Sequence, residues 1–191
     1  MLEIEAKMKV DDHSPVRERL YECGAERVGE YLETNTFFDT QDQSLFAADH
    51  GLRLRQNRDL ATNTEQFILT FKGPRQHGQL KSREEIELTV GSGRDAAELL
   101  RSLGYSPVLS FEKKRQSWTL DGCRVELDDL PLLGTFVEVE GKQEDVILRV
   151  REKLSLSNRP IIKASYVALL MEHLQARGVS QRIVTFSSRI A

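Results

Sequence analysis

Carboxylates and strong bases recur at every second residue through most of this chain. Glu3, Glu5 and Lys7 alternate with Leu2, Ile4, Ala6, Met8 and Val10. Arg53 and Arg55 oppose Leu52 and Leu54, and Lys72 falls opposite Phe67, Leu69 and Phe71. Arg83, Glu85 and Glu87 oppose Ile86, Leu88 and Val90. Lys113, Arg115 and Ser117 share a face with Leu109 and Phe111. Arg124, Glu126 and Asp128 oppose Cys123, Val125 and Leu127, and Glu138 and Glu140 oppose Val137 and Val139. These types suit one kind of ligand. Arg and Lys grip phosphate oxygens, with Arg able to do so in bidentate fashion. Carboxylates hold Mg²⁺ or Mn²⁺, which takes hard oxygen ligands and bridges to phosphate.

A two-residue period is the mark of a strand, so the charges must be carried on sheet faces. A solvated face usually mixes Thr, Ser, Gln and Lys. Here both full charges repeat on nearly every strand. A sheet whose apolar face is covered by helices can close with its charged face inside. Such an interior is costly unless the charges pair or serve a ligand. The expected fold is therefore α+β, a closed eight-stranded antiparallel β-barrel with helices packed outside.

Strands are predicted at 2–10, 26–39, 51–57, 65–72, 81–90, 107–120, 123–129 and 135–141. A helix capped by Ser14 with Pro15 in its first turn should end at Gly24. Further helices are predicted at 94–103, 142–156 and 164–177. Residues 40–50 read as a loop with at most a short helical turn, and 57–64 and 73–79 as loops. Asp121-Gly122 is the strongest hairpin signal. Residues 1–178 are expected to form one domain and 179–191 a loosely held tail.

Composition narrows the classes. At 191 residues, one domain is the expectation, and a chain of this size folds without needing a metal or disulfide. Lys+Arg at 27 against Asp+Glu at 30 argues against a nucleic-acid binder. No apolar run approaches the ~20 residues of a membrane span, so no membrane partner is expected. MLEIEAKMKV holds no apolar signal core, and Cys23 and Cys123 make no disulfide framework, so a cytoplasmic location is expected. The four histidines lack zinc-site spacing. Cys123 and Trp118 read as packing residues, and His77 as an exposed loop residue. Arg83, Glu85 and Glu87 read equally well as ligand contacts or as internal salt bridges.

Glu3-Ile-Glu-Ala-Lys7 resembles the ExExK signature of the CYTH superfamily, the triphosphate tunnel metalloenzymes. LRLR (Arg53, Arg55), LTFKGP (Lys72), SREEIE (Arg83, Glu85), EKKR (Lys113, Arg115), VELDDLPLLGTFVEVE and IIKASY (Lys163) follow in order, over about residues 1–175. The wording is most similar to the class IV adenylyl cyclase, CyaB-type, branch. The resemblance implies a tunnel enzyme that needs Mg²⁺ or Mn²⁺ and acts on a triphosphate-bearing small molecule: ATP, thiamine triphosphate or tripolyphosphate. It implies metal binding by Glu3, Glu5, Glu138 and Glu140, assisted by Glu126 and Asp128. Lys7, Arg53, Arg55, Lys72, Arg83, Lys113, Arg115 and Lys163 would bind substrate. Of these, Lys7, Arg55, Lys72, Lys113 and Arg115 would also act in catalysis. The implied reaction is conversion of ATP to cyclic AMP and pyrophosphate. Triphosphate hydrolysis is the alternative, and a non-catalytic polyphosphate or nucleotide sensor a second. A homodimer is compatible with all three.

Overall fold

Two-residue alternation becomes eight antiparallel strands that close on themselves. The computed structural model describes residues 2–76 and 78–188. The strands are β1 (Leu2–Lys9), β2 (Glu26–Asp39), β3 (Gly51–Asp59), β4 (Glu65–Gln76), β5 (Lys81–Val90), β6 (Ser106–Leu120), β7 (Cys123–Leu130) and β8 (Gly134–Gly141). Their order around the wall is β2-β3-β4-β5-β1-β8-β7-β6, and β2 pairs with β6 to close the ring. The closing pair is long, from Glu26 opposite Thr119 to Asp39 opposite Ser106. His77 and the last three residues of the chain lie outside the described residues.

The apolar phase of most strands faces outward onto helices, while Ile86 and Leu88 of β5 stay exposed. α1 (Ser14–Glu22) and α4 (Glu144–Lys153) lay Val16, Leu20, Ile147 and Val150 on Ala6, Met8, Val125, Val137 and Val139. Trp118 and Cys123 are buried in that same cluster, as packing residues. α3 (Gly93–Ser102) covers Phe38 and Leu54 with Leu100. Its cap is Ser92, whose hydroxyl accepts the Asp95 N–H. α5 (Tyr166–Ala176) packs Tyr166, Leu170 and Leu174 against Leu109, Phe111, Leu130 and Phe136. Those four share the strand phase of the charged residues, so α5 lies across one end of the barrel.

Several local features differ from the sequence expectation. Ser14 is the first residue of α1 and His13 occupies the cap position. The Ser14 N–H is instead taken by Asp12 Oδ1 at 3.2 Å. The turn in 40–50 is a single-turn helix, α2 (Ser44–Ala47). β4 continues past Lys72 through a register shift before Arg75. That shift is held from outside the ladder: the Arg83 guanidinium donates to the Gly73 carbonyl, and Asp49 accepts the Arg75 N–H at 2.8 Å.

Ile183–Val184 form β9, parallel to β6 at Ser110 and Phe111. β7 pairs with β6 only from Lys114 onward, which leaves that edge of β6 open for β9. Val184 is fully buried while Ile183 is 62 % exposed. Val184→Ala should therefore lower unfolding stability by about 2 kcal/mol in denaturant titrations. Ile183→Ala should stay within about 0.5 kcal/mol of the parent.

Candidate functional site

Residues of all eight strands line one cavity of about 240 Å³. Its acids fall into two groups. In the first, Glu5 stands directly opposite Glu140 in the β1–β8 ladder, and Glu3 lies two residues along β1. One carboxylate oxygen from each of the three lies within 4.8 Å of the others. Like charges facing each other across a ladder are destabilising unless something neutralises them. Lys81 does so in part, donating to Glu5 at 2.8 Å. Burial, then the charge of Glu3, pushes the Glu140 carboxyl well above its ordinary range. A carboxyl so raised takes up a proton more readily than a free one, and a bound cation would favour its ionised form. Three convergent hard oxygen donors with that deficit fit a divalent cation.

The second group is paired with bases. Glu138 accepts from Arg115 Nη2 at 2.6 Å and lies 3.4 Å from Lys7 Nζ. Burial opposes its charge, but Lys7 and Arg115 outweigh that and hold it well below the carboxylate range. Asp128 takes Arg115 through both its oxygens, at 2.7 and 2.6 Å, and Lys113 at 3.2 Å. Glu33 lies 3.2 Å from Lys113 and 3.3 Å from Arg55. Glu126 accepts from Ser117 Oγ at 2.5 Å. Glu33, Glu126 and Asp128 are enclosed and are not among the cavity-lining residues. Glu126 and Asp128 thus stand behind the bases, apart from the Glu3–Glu5–Glu140 cluster.

The basic wall carries Lys7, Arg53, Arg55, Lys72, Lys113 and Arg115, all lining the cavity. Arg53 donates to Thr70 at 3.0 Å and Glu87 at 3.2 Å, and its Nε has no partner among the described residues. Lys72 pairs with Glu85 and lies 3.8 Å from Glu3. Burial, then the charge of Arg53, brings Lys72 down to about 8. Burial and a hydrogen bond with Glu3 lift Glu85 to about 7. Burial also acts on Glu3, but the bond from Glu85 and the charges of Lys72 and Lys81 bring it down to about 2. Glu85 is therefore the proton carrier of that pair. Arg83 lines the cavity but spends its guanidinium on the Asp49 and Gly73 carbonyls, bracing the mouth. Lys163 stands elsewhere: it is exposed and donates to the Gly78 carbonyl at 2.8 Å, outside the cavity lining.

Phe37, Phe46, His50 and Phe111 contribute aromatic surface to the cavity lining. Phe37 and Phe111 stack at 6.0 Å, and His50 meets Phe71 at 5.3 Å. Phe46, on α2, lines the cavity and is 73 % exposed. Its position is fixed by Asp39, whose carboxylate accepts the N–H groups of Thr40, Leu45 and Phe46 at 2.7–3.0 Å.

Sequence reasoning passed over Glu33, Asn35, Asp39, Lys81 and Phe46, and named Arg124 only for its strand phase. Glu33 and Asn35 carry the two-residue signal in YLETNTFFD. Lys81 shares the phase of Arg83. Asp39 and Phe46 carry no periodic signal.

The family model described as CYTH domain matches residues 1–165. A Methanocaldococcus jannaschii protein provisionally named an adenylate cyclase is 27% identical over 178 residues, covering 88% of this chain and 98% of its own. The CyaB adenylate cyclase of Aeromonas hydrophila is 27% identical over 151 residues, 74% of each chain. A solved structure of HpAC1 from Hippeastrum, provisionally named an adenylyl cyclase and described as having a dominant triphosphatase activity, superposes with a TM-score of 0.67 at 18% identity, over 94% of this chain and 97% of its own.

Cation binding must compete with the proton on Glu140. Mg²⁺ titrated into metal-free protein at pH 7 should release protons, and its affinity should rise with pH. Calorimetry in two buffers of different ionisation enthalpy counts those protons. Glu140→Gln should release fewer and bind at least about tenfold more weakly. The sign for stability is opposite. A carboxyl raised on folding favours the native state at low pH, and that contribution is lost as pH rises through its folded value. Metal-free Glu140→Gln should therefore be more stable than the parent at pH 7.

Proposed function

This chain belongs to the CYTH domain family, and from that membership we propose that it is a divalent-metal-dependent adenylyl cyclase converting ATP to cyclic AMP and pyrophosphate. The observation that carries the proposal is the three-part cavity: a carboxylate cluster, a wall of six bases and an aromatic surface. In this reading Glu3, Glu5 and Glu140 hold Mg²⁺ or Mn²⁺, with Glu138 beside them. The bound cation supplies charge neutralisation along the phosphate chain. Lys7, Arg53, Arg55, Lys72, Lys113 and Arg115 grip the phosphates and stabilise the charge that collects on departing pyrophosphate. The ribose 3′-oxygen attacks the α-phosphorus, the bond to the β-phosphate's bridging oxygen breaks, and the hydroxyl proton passes to the ionised Glu85 carboxylate of the Lys72–Glu85 pair, Lys72 remaining an ammonium. Both members of that pair titrate near neutrality, where a general base works best.

The aromatic surface favours a substrate with a planar ring over an inorganic one. Phe46, exposed on the cavity lining, offers a π-face to a nucleobase, whereas tripolyphosphate has nothing to place there. Triphosphate hydrolysis is the second reading. It is supported by the same near-neutral Lys72–Glu85 pair, which accepts a proton from water as well as from ribose, and by the activity described for the Hippeastrum protein. A sensor without turnover has no use for that pair beside a metal cluster.

Purified protein with ATP and Mg²⁺ or Mn²⁺ should yield cyclic AMP and pyrophosphate in equal amounts. Phe46→Ala should raise KM for ATP by about three- to tenfold while leaving any tripolyphosphate cleavage unchanged. Release of ADP and phosphate, or rapid cleavage of tripolyphosphate with ATP left intact, would replace the cyclase reading with the hydrolase one.

A further inference from the structure

Tyr166 is the first residue of α5, and Ser165 caps the helix by accepting the Ala168 N–H. The preceding segment is tied to β1 at one point. Ile162 N–H donates to the Lys7 carbonyl at 2.8 Å, and Lys7 Nζ donates to the Ala164 carbonyl at 2.9 Å. This tie delivers the Tyr166 side chain beneath the basic wall. Its hydroxyl donates to Asp128 Oδ2 at 2.9 Å. The same oxygen receives Arg115 Nη2 at 2.6 Å and Lys113 Nζ at 3.2 Å. The ring face lies 4.3 Å from Lys7 Nζ and 5.5 Å from Lys113 Nζ.

Arg115 and Lys113 therefore meet one enclosed carboxylate, and Lys7 and Lys113 meet the ring of Tyr166, which itself forms part of the cavity lining. Asp128 would repel a phosphate if it faced one, but it is fully buried behind Arg115 and Lys113. Its carboxylate neutralises those two bases and fixes their direction. The Tyr166 hydroxyl in turn fixes the carboxylate, because a donor on Oδ2 leaves that group one rotation that still serves Arg115 at both oxygens. Burial and the neighbouring Asp128 charge keep the phenol protonated, so it remains a donor throughout the neutral range.

We propose that Tyr166 and Asp128 are a positioning pair that aims Lys7, Lys113 and Arg115 at the substrate's phosphate chain, the phenol acting through the carboxylate and the ring acting directly on Lys7. Neither residue needs to touch the reacting atoms. The proposal rests on the triphosphate-site reading but not on cyclase over hydrolase.

The two contributions separate by substitution. Tyr166→Phe keeps the ring and removes one buried hydrogen bond to a charged group, so kcat should fall about 10- to 100-fold with KM within about threefold of the parent. Tyr166→Leu removes the ring as well, and KM should then also rise. Asp128→Asn combined with Tyr166→Phe should be no slower than Asp128→Asn alone, because both act through the same bond. Parent-like kcat in folded Tyr166→Phe, or losses that multiply in the double variant, would overturn the proposal. The assay uses whichever triphosphate the parent turns over. Should the parent turn over none, the enzymatic readings fall, and two substrate-free measurements decide this one. The Lys7 ε-methylene protons should show an upfield ring-current shift that survives in Tyr166→Phe and disappears in Tyr166→Leu. Tripolyphosphate, titrated calorimetrically, should bind Tyr166→Leu about tenfold more weakly than the parent. Absence of that shift in the parent, or equal affinity in both proteins, would overturn the proposal.

Discussion

Charges of both signs are enclosed in one barrel, and everything else in the molecule is arranged around that burden. An isolated buried charge is prohibitive, and even a paired one is weak support for stability. The interior answers by dividing its acids. Glu33, Asp128 and Glu138 each meet at least two bases within 3.4 Å and lock them in place. Glu3, Glu5 and Glu140 instead gather with one another. Titration is uneven among these acids: against the cost of burial, Glu138 is pushed down by its bases and Glu3 by its bond with Glu85 and the charges of Lys72 and Lys81, while Glu140 is pushed up by burial and by Glu3. The paired acids make the basic wall rigid. The gathered cluster, offset only in part by Lys81 and Lys72, keeps an electrostatic deficit that a cation would relieve.

That interior dictates the exterior. Because side chains alternate, each inward charge places an outward apolar neighbour, and a one-residue slip in any strand would exchange the two sets. Ala6 and Met8 beside Lys7, and Val137 and Val139 beside Glu138, show the coupling. α1 and α4 cover those residues, and α3 covers the β3–β4 side. α5 differs in packing on inward-phase residues, which is possible only at a barrel end. There the charged phase gives way to Leu109, Phe111, Leu130 and Phe136. The step from charge to hydrocarbon along single strands is what seats Tyr166 next to Asp128.

Strand phase made the barrel and most of its inward residues legible in the sequence, since burial and period two are the same fact seen twice. Phase does not report depth or partner. Glu126 and Asp128 have the phase of metal ligands, but Ser117, Arg115 and Lys113 reach them first across the β6–β7 ladder. Glu33 has the same phase but sits among uncharged neighbours in YLETNTFFD, so its role as counter-charge to Arg55 and Lys113 is visible only in three dimensions. Lys163 adjoins a tunnel motif, but it belongs to a connection without period, and its side chain turns to Gly78. β9 is too short to show alternation at all. It exists because β7 leaves part of β6 unpaired.

Selectivity among triphosphates has to arise away from the basic wall. A grip on phosphate oxygens strengthens binding of every triphosphate alike, and uniform binding does not choose between reactions. The choice falls to the part of the cavity lining where Phe46 is exposed. Exposure alone would make Phe46 a poor discriminator, because a mobile ring loses entropy on stacking. Asp39 removes that objection by fixing the backbone of α2 with three N–H bonds from a buried carboxylate at the end of β2. The ring is therefore presented from the wall itself. Arg83 does the same for the facing rim, holding Asp49 and Gly73 from inside. A mouth built this way can distinguish substrates by shape before any phosphate is engaged, so substitutions there should alter which triphosphate is used without altering the chemistry performed on it.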